Sequence, residues 1–262
     1  MEIRFYKFHG TGNDFILIDN REGHFQPDVA TVEQMCNRRF GIGADGLILL
    51  ENRKGFDFGM IYFNADGKVG TLCGNGSRCI TAFARYLGII DRKARFEASD
   101  GEHLSEVLSA DGDDFMVKVG FRDQKVGEIS ALGTFIDTGS PHLVRFVPET
   151  AKVDVVRDGR RIRNSKKYAQ TGVNVDFVEI VRDMIHVRTY ERGVEDETWS
   201  CGTGVTASAL VVASKFVPPR GYYQVQTRGG LLKVSFNQHH DEFTDIWLEG
   251  PAKKVFEGTI DL

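Results

Sequence analysis

One stretch of this chain occurs twice, and that repetition limits the folds open to it more than any other feature. The first copy runs from Tyr62-Phe63-Asn64-Ala65-Asp66-Gly67 to Cys73-Gly74-Asn75-Gly76, the second from Tyr190-Glu191-Arg192-Gly193 to Cys201-Gly202-Thr203-Gly204. Cysteines 73 and 201 and tyrosines 62 and 190 share one spacing, about half of the 262-residue chain. Small and apolar residues at helical spacing follow each Cys-Gly-x-Gly: Ala82, Phe83 and Leu87, then Ala207, Leu210 and Val211. Each half reads strand, turn, Cys-Gly-x-Gly, helix. The chain reads as a duplicated half-domain, with one thiol per half at the start of a buried helix.

The remaining sequence fits around this repeat. Residues 1–20 predict two strands about the turn Gly10-Thr11-Gly12-Asn13-Asp14, and Thr31 to Phe40 predicts a short helix with Cys36 in the core. Gly41-Ile42-Gly43-Ala44-Asp45-Gly46 is a literal G-x-G-x-x-G. A helical pattern precedes it and the strand Leu47-Ile48-Leu49-Leu50 follows, the reverse of a dinucleotide fingerprint, so it reads as a glycine-rich loop. Strands are expected over Phe56–Phe63, Ala94–Glu106 and Phe115–Phe121, ending the first domain near Val117 and leaving 118–250 for the second. There Thr138-Gly139-Ser140-Pro141-His142 is a rigid turn ending in a histidine, and Asp154 to Asn164 reads as helical. Thr171-Gly172-Val173-Asn174 echoes Thr11-Gly12-Asn13 and leads into a hairpin turning at Arg182-Asp183. Tyr222 to Trp247 alternates like two antiparallel strands, and the last twelve residues read as a short tail.

Composition excludes several function classes. The formal net charge is −4 with no dense Lys/Arg block, which argues against a nucleic-acid or anionic-membrane partner; the basic run from Arg157 to Lys167 reads as a solvated helix face. No signal-like segment or membrane-length apolar run is present, so a cytoplasmic protein with four free thiols is the expectation. A zinc site is disfavoured: Cys73 and Cys79 do not have a usual ligand spacing, and no second Cys/His pair adjoins them.

A cysteine at a helix start sits among unpaired N–H groups at the positive end of the helix dipole, which favours thiolate. The glycines after it let a ligand approach those N–H groups, which can hold a carboxylate. Two such thiols from an internal repeat suggest a pair facing each other, suited to inverting a stereocentre: one removes an α-proton while the other delivers a proton to the opposite face. Helix N-termini aimed at the carboxylate would stabilise the carbanion without a cofactor. Glu191 and His142 are candidate partners that set the thiols' ionisation. Against these stand plainer readings: His142 as a structural histidine, Glu191-Arg192 as a surface ion pair, Asn13 as a turn residue, and the cysteines as small buried residues.

The motifs together resemble the diaminopimelate epimerase family. The likeness runs through Gly10-Thr11-Gly12-Asn13-Asp14-Phe15, Gly41 to Gly46, Phe63 to Gly67, Cys73 to Gly76, Gly139-Ser140-Pro141-His142, Gly172-Val173-Asn174-Val175, Tyr190 to Gly193 and Cys201 to Gly204. It implies an α/β (α+β) fold of two similar, pseudo-symmetric domains. Each would be a curved, mainly antiparallel sheet wrapped around a central helix, with residues 251–262 returning to the first domain. It further implies cofactor-independent interconversion of LL- and meso-diaminopimelate, in lysine and peptidoglycan synthesis, and a homodimer. Cys73 and Cys201 would be base and acid, tuned by His142 and Glu191. Gly74, Asn75, Gly202 and Thr203 would bind the reacting carboxylate and Asn13 the reacting end. Asn64, Asn174, Glu191 and Arg192 would read the distal end. Two positions depart from some members, which carry Asn at Ser140 and Gln at Gly46. Proline racemase and hydroxyproline epimerase are the near alternatives, and a dithiol redox protein the distant one. The charged Glu191-Arg192 pair with Asn64 and Asn174 favours a substrate with a second charged end.

Overall fold

In a computed structural model that describes residues 1–70, 73–215 and 220–262, the chain forms two compact units, Met1–Val119 with Gly250–Leu262, and Gly120–Glu249. The first unit holds strands β1 (Glu2–Gly10), β2 (Asn13–Asp19), β3 (Gly46–Glu51), β4 (Phe58–Asn64), β5 (Lys93–Ala98), β6 (Gly101–Asp111) and β7 (Asp114–Phe121). Helix α1 (Val29–Cys36) joins β2 to β3, and α2 (Gly74–Tyr86) joins β4 to β5. The second unit holds the short β8 (Gln124–Lys125) and β9 (Ile129–Ser130), then β10 (Gly133–Asp137), β11 (Pro141–Phe146), β12 (Asn174–Val181), β13 (Met184–Glu191), β14 (Asp196–Thr198), β15 (Tyr222–Thr227) and β16 (Gly230–His239). Helices α3 (Val155–Arg163) and α4 (Gly202–Lys215) join β11 to β12 and β14 to β15. The final strand, β17 (Glu242–Asp261), starts in the second unit and ends in the first.

The duplication is written in the pairing. From β1 to β7 successive partners run antiparallel, parallel, antiparallel, parallel, antiparallel, antiparallel. The series β10, β11, β12, β13, β15, β16, β17 repeats that order. The parallel steps are crossovers through a helix, as a parallel connection requires. In the first unit β17 pairs with β1 and also lies along β7, where the Lys254 N–H reaches the Asp113 carbonyl at 2.9 Å. The strand sequence therefore closes on itself around α2.

Both faces of the inner strands are covered, so Phe15-Ile16-Leu17-Ile18 and Leu47-Ile48-Leu49-Leu50 are continuously apolar rather than alternating. On one face Phe8, Phe15, Ile48 and Met60 pack on Ile80 and Phe83 of α2; on the other Ile16, Leu47 and Leu49 pack on Val32 and Met35 of α1. In the second unit Val144, Val178 and Val187 pack on Val205 and Leu210 of α4, while Leu143, Val175 and Tyr190 pack on Val155 and Ile162 of α3.

Six sequence expectations change. The first helix spans Val29–Cys36, not Thr31–Phe40: Asp28 caps it through the Thr31 N–H at 2.8 Å, and the Asn37 side chain takes the N–H groups of Arg39 and Phe40 into a turn. Ala94–Glu106 is broken at Ser99-Asp100 into two paired strands. Tyr222–Trp247 contains three strands, not two, and the last twelve residues are no tail but the end of β17, registered on β1 from Glu2–Asp261 to His9–Lys253. Thr171-Gly172 is not the counterpart of Thr11-Gly12. It precedes β12, the equivalent of β3, and the turn matching Thr11-Gly12 is Thr138-Gly139, with Gly12 at φ 86° and Gly139 at 96°. Nor are the two tyrosines equivalent. Ile48 pairs with Tyr62 and Asp176 with Thr189, so Tyr190 matches Phe63 and faces α3 whereas Tyr62 faces α2. A one-residue difference in the following loop restores the equal spacing of the cysteines, and one residue in a strand reverses the face.

Candidate active site

Each unit ends its fourth core strand in a loop that delivers a cysteine to the first turn of its enclosed helix. Cys73 is the N-cap of α2 in extended backbone, and its sulfur accepts the Gly76 N–H at 3.4 Å. It is half-buried. The Asn13 Oδ1 lies 3.7 Å from Cys73 Sγ and accepts the Asn75 amide N–H at 3.1 Å. Asn13 is held from behind, its Nδ2 donating to Asp45 Oδ2 at 2.7 Å. Asp45 is paired with Arg38, which also clamps Asp14, and Lys7 reaches both Asp14 and the Gly43 carbonyl. Burial works against an ionised Asp14, yet the hydrogen bonds of Arg38 and Lys7 outweigh it and hold the carboxyl at about 2. The glycine-rich loop of residues 41–46 thus carries the acid that orients Asn13.

Cys201 stands just before α4 and is buried. Its Sγ lies 3.3 Å from Thr203 Oγ1, which lies 2.9 Å from His142 Nε2. On the other side of the ring, His142 Nδ1 meets Asp176 Oδ2 at 2.7 Å, and Asp176 Oδ1 accepts from the Thr189 hydroxyl at 2.7 Å. Neither His142 nor Asp176 is exposed to solvent. The tautomer follows from Asn174: its Oδ1 takes the Arg192 N–H at 2.7 Å, so its Nδ2 is the donor that points at His142 Nε2, 3.2 Å away. An accepting Nε2 suits that donor and leaves Nδ1 to face Asp176 Oδ2.

The expectation that a helix start favours thiolate fails for Cys201. Burial pushes its thiol well above the ordinary value, and the charges of Glu191 and Asp176 push in the same direction; the Thr203 hydroxyl and Gly204 N–H oppose them without prevailing. Desolvation outweighs the helix terminus here.

The other anticipated residues lie as follows in each unit. Gly74, Asn75, Gly202 and Thr203 form the first turns of α2 and α4 and are buried. Asn64 and Glu191 occupy the same position, the last residue of β4 and β13. Asn64 is exposed, and Glu191 is half-buried beside the Cys201 loop. Arg192 donates through Nη1 to the Thr171 carbonyl at 3.0 Å, and its stem crosses Gly172, where any side chain would collide with it. Ser140 accepts from Asn174 Nδ2 at 2.9 Å, so the shorter residue steadies that amide. At Gly46 a side chain would overlap the Phe63 carbonyl and the Tyr62 ring.

Three participants escaped the sequence reading. Asp176 alternates with apolar residues along β12 and looks solvent-facing. Thr138 holds the Thr203 carbonyl at 2.9 Å. Arg78 lies on α2 and is wholly buried. An arginine inside a run of small and apolar helix residues was the available signal. Among the described residues, no cluster of three or more His, Cys, Asp or Glu could hold a metal ion, and no helix is long and apolar enough to cross a membrane.

Comparison with known proteins places the chain in a family. The family model described as diaminopimelate epimerase matches residues 5–121 and 134–255. A diaminopimelate epimerase of Flavobacterium psychrophilum is 45% identical over 260 residues, covering 98% of this chain and 100% of its own. Among solved structures, a phenazine biosynthesis protein of the PhzF family from Bacillus anthracis aligns with a TM-score of 0.75 at 14% identity, covering 100% of both chains. A probable proline racemase from Agrobacterium radiobacter K84 aligns at 0.73 and 15%, covering 99% of this chain and 93% of that one. At those identities the two structures speak for the fold alone. With the family model spanning most of the sequence and a full-length relative at 45% identity, the chain belongs to the diaminopimelate epimerase family.

Proposed function

We propose that this protein is a cofactor-independent epimerase that interconverts LL- and meso-2,6-diaminopimelate, a step supplying lysine and peptidoglycan synthesis. The observation that carries the reading is the recurrence, in both units of a chain of this family, of a cysteine at the first turn of the enclosed helix. In one direction Cys73 Sγ, as thiolate, takes the α-proton; the electron pair left on carbon delocalises into the adjoining carboxylate. The Cys201 thiol then gives its proton to the opposite face. The product carries the inverted centre, and the sulfurs have exchanged protonation states; the reverse reaction exchanges them back. N–H groups of Gly74, Asn75, Gly202 and Thr203 stabilise the carboxylate oxygens as charge moves onto them. His142, through the Thr203 hydroxyl, and Glu191 set the proton affinity of Cys201. Asn13 orients the reacting end, while Asn64, Asn174, Glu191 and Arg192 read the distal amino and carboxylate groups. A cytoplasmic setting and a homodimer belong to the same proposal.

The test is proton NMR of LL-diaminopimelate in heavy water with the reduced enzyme. Washout of the α-proton signal with formation of the meso isomer supports the reading. Exchange of proline or hydroxyproline with diaminopimelate inert would retain the two-thiol chemistry and overturn the substrate. Activity that requires an oxidised pair would move the thiols to a redox role.

A further inference from the structure

The guanidinium of Arg78 is fully buried one turn into α2 and folds back toward the helix start. It donates to the carbonyl of Gly74, the residue after Cys73, at 3.2 Å, to Asn75 Oδ1 at 2.9 Å, to Thr11 Oγ1 at 3.3 Å and to the Pro251 carbonyl at 3.4 Å. All four acceptors are neutral. Among the described residues no carboxylate lies within ion-pair distance of it, although a buried cation without a counter-charge is strongly disfavoured. Thr11, a β-branched residue, is held at φ 52° in the left-handed region, so the β1–β2 turn accepts strain at the position that meets Arg78.

The other charged groups on elements packed against α2 are matched. Lys7 and Arg38 face Asp14 and Asp45, two cations for two anions. Glu106 is bound by Arg92 and Lys118, Lys253 by Asp114, and Lys254 by Asp113 and Glu257. His103 bonds Asp100, and burial lowers the proton affinity of His9. The titratable groups that sense the Arg78 charge are the thiols of Cys73 and Cys79. Cys79 is wholly buried among apolar side chains, which keeps its thiol protonated despite Arg78. Cys73 is half-buried and already accepts the Gly76 N–H. Asn13 Oδ1 lies a long 3.7 Å from the Cys73 sulfur and already accepts from Asn75.

The second unit lacks this cation. Five residues past Cys201, as Arg78 is past Cys73, stands Thr206, whose hydroxyl meets the equivalent carbonyl, that of Gly202, at 3.0 Å. Resting on the two-thiol reading, we propose that Arg78 is a positioning residue whose buried charge makes Cys73 the thiolate of the resting enzyme, while Cys201 keeps its proton. Arg78 touches no reacting atom; it decides which half starts as base.

Peptide-resolved iodoacetamide alkylation from pH 5 to 10 tests this on the whole reduced protein, with Cys36 and Cys79 as buried references. In the wild type Cys73 is expected to reach half its maximal rate at least about one pH unit below Cys201. An opposite charge close by depresses a titration by about 1–3 units. In Arg78→Gln the Cys73 midpoint should therefore rise by about that much while Cys201 stays put, and Arg78→Lys should restore most of the difference. Cys201 ionising first in the wild type overturns the proposal, and that result needs no folded variant. So does an unmoved Cys73 midpoint in an Arg78→Gln protein with native circular dichroism. Alkylation is read without substrate, so failure of diaminopimelate to exchange would count against the function while leaving this measurement interpretable.

Discussion

Below the first turn of α2 lies Ile48; below the first turn of α4 lies Asp176, at the matching position of β12. Where the first unit has Phe15 the second has His142, and where the first has Arg78 the second has Thr206. Strand order and helix placement were kept through the duplication, while the atoms near each sulfur were not. Backbone topology tolerates such exchange because the pairing of strands is indifferent to which side chain fills a layer, provided volume and polarity are satisfied. On the proposed two-base reading, this divergence would assign the starting state to one half. Two identical thiol environments would have identical proton affinities, and the starting state with one charged sulfur would not be assigned to either half.

The largest expected effect breaks the comparison outright. Cys73→Ala and Cys201→Ala should each lower epimerisation by about a hundred- to ten-thousandfold, the range for removing a positioned acid or base. Coupled-assay rates near wild type for either variant would mean that the halves are not partners. Next comes the anion that only the second unit holds. Asp176→Asn should destabilise by about 1–3 kcal/mol in urea unfolding, since the buried Thr189 and His142 lose a charged acceptor. It should also move the Cys201 alkylation midpoint down, because a neighbouring negative charge is gone. Ile48→Val, at the matching place, should cost about 1 kcal/mol and leave the Cys73 midpoint where it was.

Acid should reveal a further difference. Asp14 titrates at about 2 in the folded first unit against an ordinary 3.8, so its pairing with Arg38 and Lys7 stabilises above pH 4 and is lost as pH falls through 2. The contribution is about 2 kcal/mol at neutral pH. Unfolding of wild type and Asp14→Asn at pH 6 and pH 2.5 should show the gap between them narrowing in acid. A last comparison separates the helix-start glycines. A methyl at position 204 would overlap the Asp176 carboxylate, whereas at position 76 it would press on the flexible ends of Ile48 and Met60. Gly204→Ala should cost about 1–3 kcal/mol, and Gly76→Ala less; equal costs would show that the two layers give way alike.

Much of this was legible in the sequence. The paired Cys-Gly-x-Gly and the apolar helices after them gave away the duplication, and the punctuation of Asp154 and Asn164 marked a helix whose caps they are. What was hidden is long-range. The non-equivalence of Tyr62 and Tyr190 depends on a one-residue difference beyond them, which only strand register exposes. Asp176 reads as the polar face of a strand until both faces prove covered. Arg78 is hidden because its burial rests on Thr11 and Pro251, 67 and 173 residues away. Cys201 reads as an activated thiol until its burial is known.

Strand β17 sets an order of events during synthesis. His9 pairs with Lys253 and Glu2 with Asp261, so one edge of β1 lacks this partner until residues 253–261 have left the ribosome. At ordinary elongation rates that wait is roughly 12–50 s. Throughout it, β1 offers an open row of backbone donors and acceptors beside a ring that cannot close. A nascent chain halted before residue 250 would carry both cysteines and both enclosed helices, yet lack the seam on which the first unit depends. Closure of the first unit thus waits on residues made long after its other strands, and truncation before residue 250 threatens that unit.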